Sequence, residues 1–227
     1  MNLWEDTLYI DGKFLPISPN QCIPIFNASF DVIIGSVGSA GHKEINQAIV
    51  AAKNAFHQTH WVCDWQYRQQ CHHQLRACLQ KNQGEFLTTL QAQLGNANYT
   101  KLPVKNSALS FILPTLESIA AKPFLNNSSV LAVAINDNEP LQPLLNAVFL
   151  AIEKGYSIVA AVSSRFPLNA MLLSRYISMT AIPAGIINII TVNKIELAKE
   201  AFLNSPLIHL VELEQSSQKI SQEVKSA

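Results

Sequence analysis

The chain has 227 residues, 48% hydrophobic and 14% charged, with 16 basic residues against 16 acidic ones. That length can bury a sizeable core, and the balance excludes a disordered chain. Neither half carries the basic surplus that binding to a phosphate backbone needs, so nucleic acid is not expected as a partner. A net charge of zero gives little colloidal protection, which suits a protein held among others. Cys22, Cys63, Cys71 and Cys78 form no dense disulfide framework. The opening MNLWEDTLYIDGKF has acidic residues and no apolar h-region, and no apolar stretch is long enough to span a bilayer. The expectation is a soluble cytoplasmic protein of bacterial type with no transmembrane segment.

In chain order, Leu8-Tyr9-Ile10, Asp11-Gly12 and Lys13-Phe14-Leu15 read as a hairpin. Ile23 to Phe26 and Val32 to Ile34 are strand-like. From His42 to Phe56 the period changes: Ile45, Ala48, Ile49, Ala52 and Phe56 recur at helical spacing. A second helix is predicted over Gln66 to Lys81, and a third over Glu85 to Leu94, stopped by Gly95. Leu102 to Ala121 is predicted helical, broken or kinked at Pro114. Residues 122–129, KPFLNNSS, read as a loop.

Beyond that loop the pattern is regular. Strands are predicted at Val130 to Ile135, Ser157 to Val162, Ile186 to Val192 and Leu207 to Leu213. Helices are predicted at Leu141 to Glu153, Pro167 to Met179, Lys194 to Leu203 and Ser216 to Val224. Strands that are apolar throughout need cover on both faces, so the alternation indicates parallel βαβ units with right-handed crossovers. The fold class is α/β: a partial Rossmann-like parallel sheet with flanking helices, preceded by an N-terminal hairpin and a helical segment. Residues 1–227 are read as a single domain, with a hairpin and helical part over 1–127 and a Rossmann-like part over 128–227.

This order resembles the N-terminal, cofactor-binding part of the aldehyde dehydrogenases. LYIDGKF is similar to that family's opening hairpin. IFNASFDVIIGSV and HKEINQAIVAAKNAFHQTHW are similar to its "NPATGEVI" turn and first helix. NDNEPL stands at its "PWNFPL" turn, and IPAGIINIIT resembles "LPPGVVNVVTG". The likeness is collinear from about residue 8 to residue 220. It implies that the asparagine holding the reacting carbonyl oxygen is kept, as Asn138. Asp137 and Glu139 replace its aromatic neighbours, and two carboxylates there oppose a developing oxyanion. The family's cofactor lysine and its proline align with Ala161 and Val162, and its glycine-serine pair aligns with Gln215 and Ser216, preceded by Glu214. A side chain in that turn blocks close approach of a diphosphate, and a carboxylate repels it. The thiolate nucleophile and glutamate base belong to a second domain that Ala227 precedes, so no activated nucleophile is expected here.

Other candidates read as structural. In CHHQLRAC, Cys71 and Cys78 share a helix face and Cys63 precedes them, but His72 and His73 point elsewhere, so core cysteines are expected rather than a zinc site. Gly35, Gly38 and Gly41 form G-x-x-G-x-x-G before a helix, which departs from the phosphate-loop spacing and reads as a flexible loop. NDNEP has no glycine to cradle a phosphate. His209, Glu212 and Glu214 read as the solvated end of an edge strand.

The resulting expectation has no catalytic residues, no cofactor, no cofactor-binding residues and no metal. The chain is expected not to be an enzyme but a non-catalytic scaffold or interaction subunit of a larger assembly, such as a secretion-machinery adaptor. Its partners would be other protein subunits, with homo-oligomerisation left open. The alternative is half of a split NAD(P)-dependent aldehyde dehydrogenase completed by another chain. An ordered core pattern over the whole length argues against a decayed product without a role.

Overall fold

The structure is a computed structural model. It describes residues 7–27, 32–99, 130–135, 141–164, 167–208, 210–215 and 218–223. The regions predicted over 102–129 therefore lie outside the described residues.

Three strands that need cover on both faces form the centre: β5 (Val130–Ile135), β6 (Ser157–Ser163) and β7 (Ile187–Val192), every residue of each buried. β6 pairs in parallel with both of the others. Alternate residues serve opposite faces. Leu131, Val133 and Ile135 meet one apolar cluster, and Val130, Ala132 and Ala134 the other. The first cluster is closed by α2 (Trp65–Lys81), α4 (Leu141–Lys154) and α5 (Leu168–Ser178), with Phe86 of α3 (Gln83–Tyr99). The second is closed by α1 (His42–Gln58) and α6 (Ile195–Leu203), through Ile45, Ala48, Ile49, Ala52, Ala198 and Phe202. Each fully buried Leu, Ile or Phe contributes about 1.5–3 kcal/mol, so these two layers dominate the stability.

The N-terminal hairpin does not stand before the sheet; it is part of it. β1 (Thr7–Ile10) pairs with β2 (Lys13–Pro16) and, antiparallel, with β7 through Tyr9 and Ile189. β8 (Leu210–Gln215) joins β5 in parallel on the other side. With β9 (Gln218–Glu223) the order is β2-β1-β7-β6-β5-β8-β9. β3 (Cys22–Phe26) and β4 (Ile33–Gly38) make a separate antiparallel ribbon. Its Ile25 and Val37 pack on Leu168 and Met171 of α5.

Four local expectations need correction. α3 runs through Gly95 to Tyr99, because a glycine inside a helix costs only about 1 kcal/mol and does not forbid it. Gly35 and Gly38 are not in a flexible loop: both lie in β4, and a Cβ on Gly38 would stand 2.9 Å from Ile17. Residues 218–223 form a strand instead of part of a helix, with six residue pairs in register from Leu210↔Glu223 to Gln215↔Gln218. The segment has only Ile220 and Val224 to offer as an apolar helical face, and pairing with the open edge of β8 wins. β8 is consequently flanked on both sides, so Glu212 and Glu214 are not on an edge strand.

Candidate functional site

In a doubly wound sheet, ligands sit beyond the carboxyl ends of the strands, where the strand order reverses. Here the chain moves outward from β5 through β6 to β7 and then returns to place β8 on the far side of β5. The reversal lies between β5 and β8, and the ends of β5, β6 and β8 define the candidate site.

Of the residues singled out in the sequence, some are described at these strands and others are not. Asp137, Asn138 and Glu139, which follow β5 in the chain, lie outside the described residues, as do His209 and Ser216. Ala161 and Val162 are both 0% exposed: Ala161 faces the α1–α6 layer and Val162 the α4–α5 layer. Glu212, Glu214 and Gln215 are in β8, with Glu212 between Val133 of β5 and Ser221 of β9 in register. At the end of β6, Ser163 and Ser164 are buried, and the Ser164 amide donates to the Val192 carbonyl (2.9 Å). Asn169, in the first turn of α5, is 1% exposed, and neither polar atom of its carboxamide has a partner.

Gly41 heads α1, beside the carboxyl end of β7, where the Ala40 amide donates to the Thr191 carbonyl (2.7 Å). The first turn of a 17-residue helix is a natural anion site. It is already served from within: Glu44 Oε2 accepts the Gly41 amide at 2.9 Å and stands 3.5 Å from Gln21 Nε2. The glycine spacing thus marks a capped helix start and a strand, with the anion supplied by the chain itself.

The cysteine and histidine residues of α2 do not converge. Cys71 is buried in the larger apolar cluster and burial raises its thiol; Cys78 is half-buried and Cys63 exposed. Among the described residues no group of three or more His, Cys, Asp or Glu could hold a metal ion. His72 is buried edge-on against Phe149 (ring centroids 5.0 Å), its Nε2 without a partner, while His73 is exposed. Burial above all, then the neighbouring His73 and Arg76, lowers the His72 imidazole to about 4, against the pull of Glu153. His72 is therefore neutral in the folded protein and gains a proton on unfolding. Its contribution is complete above the unfolded value near 6.5 and is lost as the pH falls towards 4. Between about pH 7 and pH 5 it should cost about 2 kcal/mol. Urea unfolding at both pH values should show this slope in the natural protein and lose most of it in His72→Phe; an unchanged slope rules the assignment out.

Sequence reading passed over the residues that tie the layers together. Asn188, 0% exposed in β7, accepts the Asp11 amide at Oδ1 (2.9 Å) and donates from Nδ2 to the carbonyls of Gly185 (2.7 Å) and Ile158 (3.2 Å). The Thr191 hydroxyl donates to the Gly38 carbonyl. Arg68 is 2% exposed and donates from Nη1 to the carbonyls of Trp61 (2.6 Å) and Val62 (2.7 Å). Trp61 Nε1 in turn donates to the Tyr156 carbonyl (3.1 Å). Tyr176 of α5 donates its hydroxyl to Glu85 of α3, and burial and that carboxylate raise the phenol. The legible signal was a lone polar residue inside an apolar run, as at Asn188.

The sheet order and the two helical layers define an α/β doubly wound protein. More particularly, the chain has the fold of aldehyde dehydrogenases and resembles them in sequence. No family model matches it. The mitochondrial aldehyde dehydrogenase of Leishmania tarentolae is 24% identical over 203 residues, 82% of this chain and 40% of that relative. A probable betaine aldehyde dehydrogenase of Schizosaccharomyces pombe is 38% identical over 60 residues, 26% of this chain and 12% of the relative. Among solved structures, the NAD-dependent aldehyde dehydrogenase of Sinorhizobium meliloti superimposes with a TM-score of 0.76 at 14% identity, covering 93% of this chain and 45% of that one. Aldehyde dehydrogenase C of Pseudomonas syringae gives 0.71 at 20% identity, covering 92% and 45%. The chain spans less than half the length of these relatives.

These findings correct the expectation that the chain is not an enzyme. The proteins it resembles are named as aldehyde dehydrogenases, and aldehyde dehydrogenases are enzymes. None of these relatives is named as a scaffold or a secretion adaptor, and they come from eukaryotes and bacteria alike, so the bacterial expectation has no support. Among the described residues no helix is long and apolar enough to cross a membrane.

Proposed function

We propose that this chain is one half of an NAD(P)-dependent aldehyde dehydrogenase, completed by a catalytic half that lies on another chain or on a further stretch of a longer protein. One observation carries the reading: more than nine-tenths of this chain is matched by less than half of the solved enzymes. Covalent aldehyde oxidation needs a thiolate with a base in reach, and the completing half would bring both. Cys71 does not suit that task, because it is buried and its thiol is raised. The partner on this reading is a protein subunit, and the two halves meet in the cytoplasm.

The test is affinity purification of the chain from its own cells, followed by an assay of the recovered complex for NAD(P)+-dependent oxidation of a short aldehyde. Recovery of a thiol-bearing half together with aldehyde-dependent NAD(P)H formation is the expected result. Recovery of the chain alone, with no such activity, rules the reading out.

A further inference from the structure

We propose that the β3–β4 ribbon is the surface on which the completing half docks, through Phe26, Val32 and Ile33. The proposal rests on the split enzyme above and deepens it by naming the contact face. The base of the ribbon is fixed at the carboxyl end of β7: the Thr191 hydroxyl donates to the Gly38 carbonyl, and the Ala40 amide to the Thr191 carbonyl (2.7 Å). Its inner face rests on the first turn of α5, which follows the carboxyl end of β6, through Ile25 and Val37 on Leu168 and Met171. The ribbon thus stands on the side of the sheet where the candidate site lies. A half that brings a thiolate and a base to that site approaches from the same side.

Three features suit the far end of the ribbon to this contact. It is apolar and exposed: Phe26 and Ile33 stand opposite each other in register, at 38% and 61% exposure, and Val32 beside them is 54% exposed. It is held in shape, because the Asn27 amide donates to the Val32 carbonyl (2.9 Å) and Asn27 Oδ1 accepts the Val32 amide (3.3 Å). Apolar side chains on backbone already fixed lose little freedom on binding. It is also poor in charge. Between Lys13 and Lys43 the sequence has one charged residue, Asp31, in a chain that is 14% charged. A ribbon made of two edge strands ordinarily carries lysines or other charges that keep it apart from other chains. Depletion of charge beside exposed aromatic and aliphatic residues is instead the composition of an interface core. The occupant that fits is an apolar, uncharged surface of the completing half. Met179 is more exposed still, at 69%, but it follows α5 on the amino side of the sheet, opposite the site.

The experiment places the photo-crosslinker p-benzoylphenylalanine at Phe26, at Ile33 and, as the control, at Met179. The protein is irradiated in its own cells, and the joined peptides are read by mass spectrometry. Crosslinks from positions 26 and 33 into the thiol-bearing half, in excess of those from position 179, are the expected result. Ile33→Lys should lower the aldehyde oxidation recovered with the chain by about tenfold, while Met179→Lys leaves it unchanged. Crosslinks from 26 and 33 that reach only this chain, a second copy of it, or proteins without the thiol overturn the proposal. So do the absence of any crosslink from the folded protein and equal activity of the two lysine variants. Failure here is distinguishable from failure of the proposed function. An active recovered complex whose thiol-bearing half is joined from position 179 alone sinks only the docking face. Absence of aldehyde oxidation in any recovered complex sinks the split enzyme itself.

Discussion

Gly185→Ala is expected to destabilise the protein by about 2–5 kcal/mol, enough to threaten folding of an ordinary domain. Two independent costs meet at this position. Its φ is +80°, where an L side chain is strained by about 1–2 kcal/mol. An added Cβ would also stand 2.8 Å from Ala55 Cβ, 2.9 Å from the Ala51 carbonyl oxygen and 3.1 Å from Asp11 Oδ1. Two of those neighbours belong to the backbone and short side chains of α1, which cannot swing aside, so overpacking adds about 1–3 kcal/mol. Gly84→Ala is the matched control. A Cβ there meets nothing within 4 Å and the residue is helical, so the change should be neutral or stabilising by up to about 1 kcal/mol. Urea unfolding followed by circular dichroism measures both. Equal midpoints for the two variants would show that the turn before β7 yields more easily than its contacts imply.

Asn188→Leu should cost about 3–5 kcal/mol, although it adds apolar volume at a fully buried site. The reason is the state of what remains. The Asp11 amide loses its acceptor, and the carbonyls of Gly185 and Ile158 lose a donor. Each buried group left without its partner costs about 1–3 kcal/mol. Asn188→Asp should be no better, since it keeps an acceptor for Asp11 but places a carboxylate against two carbonyls in a site with no exposure. Because these bonds hold the β1–β2 turn to the amino ends of β6 and β7, amide exchange should quicken first at Tyr9, Ile10 and Asp11. Uniform protection of the hairpin in Asn188→Leu would disprove this role.

These two residues also explain the motif by which the sequence most resembles a dehydrogenase. IPAGIINIIT contains Gly185, Asn188 and Thr191, and each of them fastens one layer to another: Gly185 admits α1, Asn188 holds the hairpin, and Thr191 bonds to β4 through Gly38. The motif is architectural. Gly185 and Asn188 lie towards the amino end of β7 and Thr191 next to its carboxyl end, so the likeness in this motif speaks for the fold.

The sequence by itself determined the elements whose burial is written in their own pattern. β5, β6 and β7 are apolar throughout, which only a sheet covered on both faces permits. The buried residues of α1 stand at the spacing that defines one helical face, and Asp64 caps α2 through the Tyr67 amide (2.8 Å). Tertiary structure alone decided the rest, because those choices depend on partners far along the chain. Residues 218–223 become a strand because β8 offers an edge, a fact absent from their own composition. The hairpin joins the sheet because Asn188, 177 residues away from Asp11, binds its turn. Gly41 looks like part of a phosphate loop until Glu44 is seen to fill the helix start. Local pattern reports how much surface a segment must hide; only the assembled fold determines which neighbour hides it.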